Sequence, residues 1–367
     1  MSRRLRVGIL FGGKSAEHEV SILSARNVLV ALDPDKYEPV LIGIDKGGRW
    51  LLQRADELLE AKGDPRLLRL SASAPPVALE PRPTGGEIAV AAAPAAHLDV
   101  VFPVLHGPMG EDGTVQGLLE LADLPYVGAG VLGSAVGMDK DVMKRLLQQA
   151  GVPVARFRTL RKVDFERDPA ATAARAAEVG FPLFTKPANL GSSVGVRKVR
   201  GRGELDAALR EAFIYDVKAL AEEAVVGREL ECSVLGDEDP IASVAGEVIV
   251  SHADGFYSYD AKYVDEHGAT ISIPARVSPA DMERVQRLAV RAFQVLEASG
   301  MARVDFFLRE DGELLVNEIN TIPGFTAISM YPKMWEASGI PPRELVTRLI
   351  DLALARKARR RALKTNF

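Results

Sequence analysis

The first 45 residues carry the pattern that most restricts how this chain can fold. Leu5–Phe11 is an apolar run of strand length that ends at Gly12-Gly13, and Ala16–Leu32 follows with apolar residues at helical spacing. Pro39–Asp45 has the composition of a second strand. A strand, a glycine turn, a helix and a strand begin a parallel sheet, which is covered by helices on both faces. We therefore predict an N-terminal doubly wound domain that binds ligands at the carboxyl ends of its strands.

The rest of the 367-residue chain predicts two further domains, so that the whole combines α/β and α+β architecture. Short strands alternate with helices over 139–228, and strands dominate over 229–367. Within the first domain, 1–138, residues 52–97 interrupt the alternation of strands and helices. We interpret them as an insertion that contains one hairpin.

Composition excludes several classes of protein. The 46 Lys and Arg against 50 Asp and Glu give a net charge of −4, which provides no general field for nucleic acid. No apolar run reaches roughly 18 residues and no signal-peptide cleavage site follows the first one, so we expect a cytoplasmic protein without a membrane span. The single cysteine, Cys232, lies in an apolar alternation that predicts a core position. The basic run 356–364 either binds nucleic acid or, as we prefer, forms a solvated last helical turn.

Residues 8–15, GILFGGKS, formally match the P-loop pattern. In a P-loop the first glycine opens the loop, but here Gly8 precedes Ile-Leu-Phe, which is strand, so only Gly12–Ser15 can be loop. A strand-to-helix turn is the better interpretation, with Ser15 as the helix cap and Glu17 in the first turn. The Glu17 carboxylate either stabilises the positive end of the helix or receives a substrate ammonium group in the cleft.

Two further glycine loops follow buried strands. The loop 106–113, HGPMGEDG, starts with His106, which could bind a carboxylate; the alternative is a structural turn with Glu111 and Asp112 as caps. The loop 186–196 places Lys186 at a strand end, before small residues whose backbone N–H groups can close over phosphates. A simple hairpin loop is the alternative for this second segment.

Two neighbouring strands near the C-terminal end carry polar residues on one face each. Alternation puts Arg303 with Asp305 on one strand and Glu318 with Asn320 on the next. Two carboxylates and a carboxamide suit Mg²⁺ or Mn²⁺ bound together with phosphates, and the arginine can neutralise a developing negative charge. A cross-strand salt bridge is the alternative, but the apolar residues on both sides disfavour a solvated face. Three of the seven tyrosines fall within 256–263, which suits a mobile lid.

These motifs, in this order, resemble the D-alanine–D-alanine ligases of the ATP-grasp superfamily. The resemblance covers nearly the whole chain except 52–97 and the C-terminal end. It implies three domains, of which the central and C-terminal ones clamp ATP between two sheets, with a lid at 251–272. The matching segments are 12–21, 106–113, 138–140, 186–196, 256–263, 302–307 and 317–326.

The resemblance also implies the residues that hold ATP and its metal ions. Lys140 and Lys186 would contact the phosphates, and two Mg²⁺ or Mn²⁺ ions would be held by Asp305, Glu318 and Asn320. The remaining candidates are the adenine and ribose residues Glu222, Glu223, Val225 and Glu229, the loop residue Ser193, and the lid residues Tyr257 and Lys262.

The residues implied for the two D-alanine molecules lie along the same cleft. Glu17 would receive the ammonium group of the first D-alanine, with His106 near its carboxylate. Ser192 and Tyr263 would join Glu17 in a hydrogen-bonded network that links the cleft to the lid. The list is completed by Arg303 and the Gly324 N–H for the tetrahedral oxyanion, and by Ser329 and the Met330 N–H for the second carboxylate.

The implied activity is the ATP-dependent joining of two D-alanine molecules through a D-alanyl phosphate, which gives ADP, phosphate and a peptidoglycan precursor. Family members are usually homodimers, so the resemblance implies a homodimer with D-alanine and ATP as its ligands. Three alternatives stay open: another ATP-grasp ligase, including one that uses D-lactate, a P-loop nucleotide switch, and an inactive nucleotide-binding module. Tyr263 favours D-alanine over D-lactate, because ester-forming members lack that tyrosine.

Overall fold

The computed structural model describes residues 3–60, 70–80, 87–90, 93–250 and 269–364. Within these ranges the strands form one mainly parallel sheet, one small antiparallel sheet and two larger antiparallel sheets. The predicted combination of α/β and α+β architecture is therefore confirmed. Among the described helices, none is both long and apolar enough to cross a membrane.

Residues 5–44 fold as the sequence predicts, with a helix that connects two parallel strands. β1 and β2 pair in parallel from Leu5–Tyr37 to Gly12–Ile44, and β3 pairs antiparallel with β2. One face of β1 is buried against the first helix, and the other face joins a second core on the opposite side of the sheet. The elements are β1 (Leu5–Gly12), α1 (His18–Ala31), β2 (Tyr37–Ile44), β3 (Trp50–Gln53) and α2 (Ala55–Glu60).

The insertion forms a three-stranded antiparallel sheet in the order β4-β5-β6, with β4 (Val77–Glu80), β5 (Glu87–Val90) and β6 (Ala93–His97). The predicted hairpin is present, but the prediction of a single hairpin missed the third strand. Alanine and proline have low strand propensity, and a proline is tolerated only because β6 is an edge strand.

The N-terminal sheet is completed by β7 (Val100–Pro103), which pairs in parallel with β1 and gives the order β3-β2-β1-β7. The helix α3 (Thr114–Leu121) packs on the face opposite α1, where Val115 and Leu119 join the core around Leu10. A further helix, α4 (Val131–Met138), was not predicted because two glycines interrupt its sequence. Helices on both faces agree with the doubly wound prediction.

The central part is a four-stranded antiparallel sheet in the order β10-β9-β11-β8, with helices on one face. Leu183 and Thr185 on β9 lie toward α8, and the alternating Phe184 and Lys186 lie toward a cleft on the other face. The elements are α5 (Lys140–Gln149), β8 (Phe157–Arg161), α6 (Lys162–Arg167), α7 (Pro169–Ala177), β9 (Leu183–Pro187), β10 (Arg197–Val199), α8 (Leu205–Tyr215) and β11 (Lys218–Glu223).

The C-terminal part is a five-stranded antiparallel sheet in the order β14-β13-β12-β15-β16. Cys232 is fully buried in its core, as predicted, and burial raises the pKa of this thiol to about 12. The elements are β12 (Arg228–Gly236), β13 (Ile241–Val250), β14 (Ala269–Ser272), α9 (Pro279–Val295), β15 (Gly300–Leu308), β16 (Leu314–Asn320), α10 (Met330–Ala337) and α11 (Pro342–Arg361).

The C-terminal helix α11 connects the first and last sheets. Its apolar residues, among them Leu345, Leu349 and Ile350, share one core with Val7 and Ile22 of the N-terminal domain. The last helix therefore completes one face of the first sheet.

The basic end of α11 has partners within the chain. Arg356 donates hydrogen bonds to the backbone oxygens of Gly128 (2.5 Å) and Tyr126 (2.8 Å) and lies over the Tyr126 ring. The last turn is half exposed, as predicted, but its cations also pair with acidic residues, which the sequence prediction missed. The pairs are Lys357 and Arg361 with Asp123, Arg359 with Asp237, and Arg360 with Glu120.

Arg356→Ala should lower the free energy of unfolding by about 2–4 kcal/mol, because two backbone carbonyls lose their charged donor. Arg348→Ala is the matched control on the same helix, and it should lose only about 0–1 kcal/mol because both side chains of its ion pair with Glu344 are half exposed. Urea unfolding followed by circular dichroism measures both values. Equal losses in the two variants would show that Arg356 does not hold the helix in place.

Candidate active-site cleft

A cleft of about 410 Å³ lies between the four-stranded and five-stranded antiparallel sheets. It is lined by charged side chains from both sheets and from the N-terminus of α5. The predicted site residues among its lining are Lys140, Lys186, Ser192, Ser193, Glu222, Glu223, Val225, Glu229, Arg303, Asp305 and Glu318.

Lys140 and Lys186 face this cleft from different elements. Lys140 begins α5, where the Asp139 side chain caps the helix by accepting the Val142 N–H. Its ammonium group donates to the Leu190 backbone oxygen at 2.8 Å and lies 3.3 Å from the Glu318 carboxylate. The Lys186 ammonium group lies 2.5 Å from Glu222 Oε1. The two cations predicted to hold phosphates are therefore both fixed by carboxylates at the cleft.

The sequence analysis missed Lys144, one helical turn after Lys140. Its side chain is fully buried, and its Nζ lies 2.7 Å from Glu222 Oε2 and donates to the Asn317 backbone oxygen at 3.1 Å. Burial raises the pKa of the Glu222 carboxyl group, but Lys144 and Lys186 outweigh burial and hold that pKa below its ordinary value. The only signal in the sequence was that Lys144 follows Lys140 by four residues, which puts both on one face of the helix. A lysine on an amphipathic helix normally reaches solvent, so this spacing does not indicate a buried lysine.

The adenine and ribose candidates lie along one edge of the cleft. The Glu223 carboxylate accepts hydrogen bonds from the Arg156 backbone N–H and side chain, and it also binds Arg309 at 2.9 Å. Because these contacts already occupy the Glu223 carboxylate, the Glu223 backbone is the part that suits adenine. Glu229, on β12, lines the same cleft.

The loop 186–196 connects β9 and β10 as a hairpin, and it also closes over the cleft. Ser192 and Ser193 have left-handed backbone angles, with φ of 50° and 58°. The Ser192 hydroxyl donates to Glu17 Oε1 at 2.5 Å. The loop is fixed at its start by Asp216, which accepts from the Asn189 backbone N–H and side-chain amide.

Glu17 is the N-cap residue of α1, and its side chain makes no capping hydrogen bond to the helix. It turns instead to Ser192, which favours the second of the two interpretations above, a carboxylate aimed at the cleft. The prediction that Ser15 caps the helix is wrong, because the Ser15 hydroxyl accepts the N–H of Glu17, which precedes the helix. A Cβ on Gly107 would lie 3.6 Å from Glu17 Oε2, so the loop 106–113 also reaches this carboxylate.

The P-loop interpretation does not fit the structure. Gly8 lies inside β1, and the exposed Lys14 side chain packs on Gly48, where a Cβ would come within 2.4 Å of Lys14 Cε. The glycine loop that lines the cleft is 186–196 instead.

His106 is buried beside the segment that carries Gly324. Its Nδ1 lies 3.1 Å from the Ile322 backbone oxygen, so this nitrogen is assigned as the donor, and its Nε2 lies 3.5 Å from Ser24 Oγ. Burial lowers the pKa of His106, and the ring is therefore neutral. A neutral ring has a single N–H, which Ile322 accepts here, so the ring has no N–H left for a substrate carboxylate and acts by holding the Ile322 segment.

Glu111 is a second buried carboxyl group in the same loop. Its Oε1 accepts the Gly107 backbone N–H at 2.9 Å. Burial, together with the charge of Glu17, raises the pKa of Glu111 to about 8. The alternative in which Glu111 caps the helix is wrong, because its carboxyl group holds Gly107 in the loop before α3 and is protonated at neutral pH.

The polar residues of β15 and β16 come together as the alternation predicts. Arg303 donates to both oxygens of Asp305 at 2.7 Å, and Asn320 Nδ2 donates to Asp305 at 3.1 Å. Asp305 lies opposite Glu318 in the register of the two strands. Burial lowers the pKa of Arg303, but Asp305 and Glu231 outweigh it and hold that pKa well above its ordinary value.

Glu231 is a further residue that the sequence analysis missed. It lies opposite Asp305 on β12 and 2.9 Å from Arg303. Its alternation with Glu229 was the available signal. Arg303 is therefore held by carboxylates of two strands.

Asp305, Glu318 and Asn320 form a donor set of two carboxylates and one amide oxygen. Among the described residues, no group of three or more His, Cys, Asp or Glu is spaced to hold a metal ion. Hard oxygen donors fit Mg²⁺ or Mn²⁺, and Arg303 and Lys140 now pair with the two carboxylates. The set therefore suits a divalent ion that arrives with phosphate groups.

The remaining substrate candidates lie around the start of α10. The Ser329 hydroxyl accepts the Thr326 N–H at 3.0 Å, and a Cβ on Gly324 would lie 2.8 Å from this hydroxyl. The Met330 side chain is buried against Val248, which leaves its backbone as the part that suits a ligand. Tyr257, Lys262 and Tyr263, with most of the predicted lid 251–272, lie outside the described residues.

Comparison with known proteins identifies relatives over nearly the whole chain. Residues 6–129 match the family model for the D-ala D-ala ligase N-terminus, and residues 146–351 match the model for its C-terminus. The D-alanine--D-alanine ligase A of Chromobacterium violaceum is 53% identical over 96% of this chain and 95% of its own length. The D-alanine--D-alanine ligase of Shouchella clausii is 50% identical over 98% of both chains.

Solved structures agree with these matches. The D-alanine-D-alanine ligase from Coxiella burnetii superposes with a TM-score of 0.86 at 40% identity, over 98% of this chain and 97% of that one. The VanG D-Ala:D-Ser ligase from Enterococcus faecalis gives a TM-score of 0.82 at 35% identity, over 96% of this chain and all of that one.

The raised pKa of Glu111 predicts a pH-dependent stability. Between its ordinary value of 4.5 and about 8, the unfolded chain loses this proton while the folded chain keeps it, so stability falls as pH rises through that window. Glu111→Gln cannot ionise, and relative to the unmodified protein it should gain about 4 kcal/mol between pH 4.5 and 8. Urea unfolding across this range measures the difference.

Glu310→Gln is the matched control, since Glu310 is exposed in the turn between β15 and β16. Its stability difference should stay flat with pH. A flat profile for Glu111→Gln as well would mean that Glu111 is ionised in the folded protein.

Proposed function

The chain belongs to the D-alanine–D-alanine ligase family, and we propose that its cleft joins two D-alanine molecules to D-alanyl-D-alanine while ATP becomes ADP and phosphate. The observation that carries this proposal is the pair of lysines, Lys140 and Lys186, held against the carboxylates Glu318 and Glu222 at one cleft between two sheets. Relatives about 50% identical over nearly the whole chain carry the name of this activity. The product serves peptidoglycan synthesis.

The reaction needs ATP because a carboxylate is a poor electrophile. The oxygen of the first D-alanine carboxylate attacks the γ-phosphorus of ATP, the bond to ADP breaks, and a D-alanyl phosphate forms. The ammonium group of the second D-alanine loses one proton, the resulting amine attacks the acyl carbon, phosphate leaves, and the nitrogen loses a second proton to give the amide N–H. Lys140 and Lys186 spread the negative charge during the first step. When bound, two Mg²⁺ or Mn²⁺ ions held by Asp305, Glu318 and Asn320 would neutralise phosphate charge.

We assign the first D-alanine to the side of the cleft where Glu17 lies. The Glu17 carboxylate receives the substrate ammonium group, and Ser192 fixes its orientation through the 2.5 Å hydrogen bond. The neutral His106 lies near the substrate carboxylate and holds the segment before Gly324. Tyr263 completes this network from the lid, which excludes water from the acyl phosphate.

The second half of the site stabilises the transition state of the peptide-forming step. Arg303, held by Asp305 and Glu231, and the Gly324 N–H bind the tetrahedral oxyanion. Ser329 and the Met330 N–H bind the carboxylate of the second D-alanine. The adenine and ribose are assigned to Glu222, Glu223, Val225 and Glu229, with further ATP contacts from Ser193, Tyr257 and Lys262.

A cytoplasmic location and a homodimer belong to the same proposal. ATP and free D-alanine are both available in the bacterial cytoplasm. The homodimer rests on family resemblance, and sedimentation at micromolar concentration tests it.

Competition between D-alanine and D-lactate as the second substrate tests the function. With ATP, Mg²⁺ and both acceptors, the protein should form mainly D-alanyl-D-alanine at neutral pH, with one ADP per dipeptide. Tyr263→Phe removes a hydrogen bond worth about 1–3 kcal/mol, which corresponds to a roughly 5–150-fold lower rate of the step that it supports. The variant should therefore form a larger share of the ester. Chromatography across pH 6 to 9 separates the products.

Two other outcomes of this experiment would contradict the proposal. Phosphate release without dipeptide would identify a nucleotide switch. Predominant ester from the unmodified protein would assign D-lactate as the second substrate.

The phosphate contacts can be tested with two lysine variants. Lys186→Ala should weaken ATP binding about tenfold or more, because it removes a charge that faces the cleft. Lys14→Ala is the matched control on the exposed side of the N-terminal loop and should bind ATP normally. Calorimetric titration with a non-hydrolysable ATP analogue measures both. A large loss in Lys14→Ala alone would restore the P-loop interpretation.

A further inference from the structure

Three charged side chains form a buried triad behind the phosphate side of the cleft. Glu222 lies between two ammonium groups, with Lys186 at 2.5 Å from one carboxylate oxygen and Lys144 at 2.7 Å from the other. Lys186 lines the cleft, whereas Lys144 is fully buried on α5. The triad therefore has one member that can meet a ligand and one that cannot.

The formal charge of this triad depends on Lys144. Two ammonium groups and one carboxylate leave a net charge of +1, and Lys186 is the member that faces the cleft. Without Lys144, Glu222 and Lys186 would form a neutral pair, because Lys186 alone would balance the negative charge of Glu222. A neutral pair attracts a polyphosphate much less than a free positive charge does.

Lys144 also links the central sheet to the strand that carries the candidate metal residues. Its Nζ donates to the Asn317 backbone oxygen at 3.1 Å, and Asn317 directly precedes Glu318. Lys140, one turn earlier on α5, pairs with the Glu318 side chain at 3.3 Å. The two lysines of α5 therefore hold β11 and β16 at a fixed separation across the cleft.

We propose that Lys144 is a positioning residue for nucleotide binding, which neutralises Glu222 so that the charge of Lys186 remains available to the phosphates. Lys144 does not touch the nucleotide. The inference rests on the proposed function for the identity of the nucleotide only.

Lys144→Met tests this role, because it keeps the length of the side chain and removes the charge. The variant should bind ADP about tenfold or more weakly, and its KM for ATP should rise in parallel. Its KM for D-alanine should stay within about twofold, since Glu17 and Ser192 are unchanged. Arg145→Met is the matched control on the next position of α5, where the arginine is exposed, and it should bind ADP normally.

A second substitution separates a charge effect from a packing effect. Glu222→Gln in the Lys144→Met background removes the carboxylate that Lys144 neutralises and returns the net charge of the triad to +1. Because Glu222 is also assigned to adenine, the double variant is compared with Glu222→Gln alone, and its ADP affinity should lie within about threefold of that variant. A cavity or a distorted helix would not be repaired by this change.

Calorimetric titration with ADP and Mg²⁺ gives the affinities, and urea unfolding reports whether each variant folds. If Lys144→Met does not fold, Lys144→Gln replaces it, because its amide can still donate hydrogen bonds. Normal ADP affinity in Lys144→Met, or an equally large loss when Lys144→Met is added to Glu222→Gln, would overturn the proposal. Titration with ADP needs no turnover, so failure of the unmodified protein to form dipeptide would count against the proposed function alone.

Discussion

The cleft depends on the pairing of charges that are buried where two antiparallel sheets meet. An isolated carboxylate at such a place costs several kcal/mol, and it is tolerated only when cations and hydrogen bonds surround it. Here the α5 lysines supply the cations: Lys140 for Glu318 and Lys144 for Glu222. Because each pair joins different elements, the electrostatic requirement also sets the distance between the sheets. The same ions that permit the charges to be buried therefore shape the space that a nucleotide would fill.

Much of the fold could be predicted because the spacing of apolar residues distinguishes strands from helices and because glycines mark the turns between them. Leu5–Phe11 with Gly12-Gly13 predicted β1 and its turn, and β1 runs from Leu5 to Gly12. Alternation also predicted that Arg303 and Asp305 share a face, and the two side chains are hydrogen-bonded. Predictions of this kind hold in the folded protein because they depend only on residues close together along one strand.

Other features escaped prediction because they depend on partners distant in sequence. In the sequence, Lys144 has the pattern of a solvated helix residue, and only the fold brings Glu222 and Asn317 to it. Glu231 has the pattern of a carboxylate on a strand face, and only the fold brings Arg303 next to it. The third strand of the insertion was missed because its alanines and proline have low strand propensity, which tertiary pairing overrides. Periodicity therefore finds strands and faces, but it does not find the ion pairs that make a site.

The helix α11 has a consequence for how the protein is made. Leu345, Leu349 and Ile350 belong to the same core as Val7 and Ile22, so residues synthesised long after β1 complete a face of its sheet. While the ribosome translates the middle of the chain, α1 can already pack on that face, but the part of the core that α11 supplies is missing and leaves apolar surface exposed. Exposed apolar surface in a partly synthesised chain favours aggregation and chaperone binding. The first domain therefore reaches its native state only after the C-terminal helix has left the ribosome.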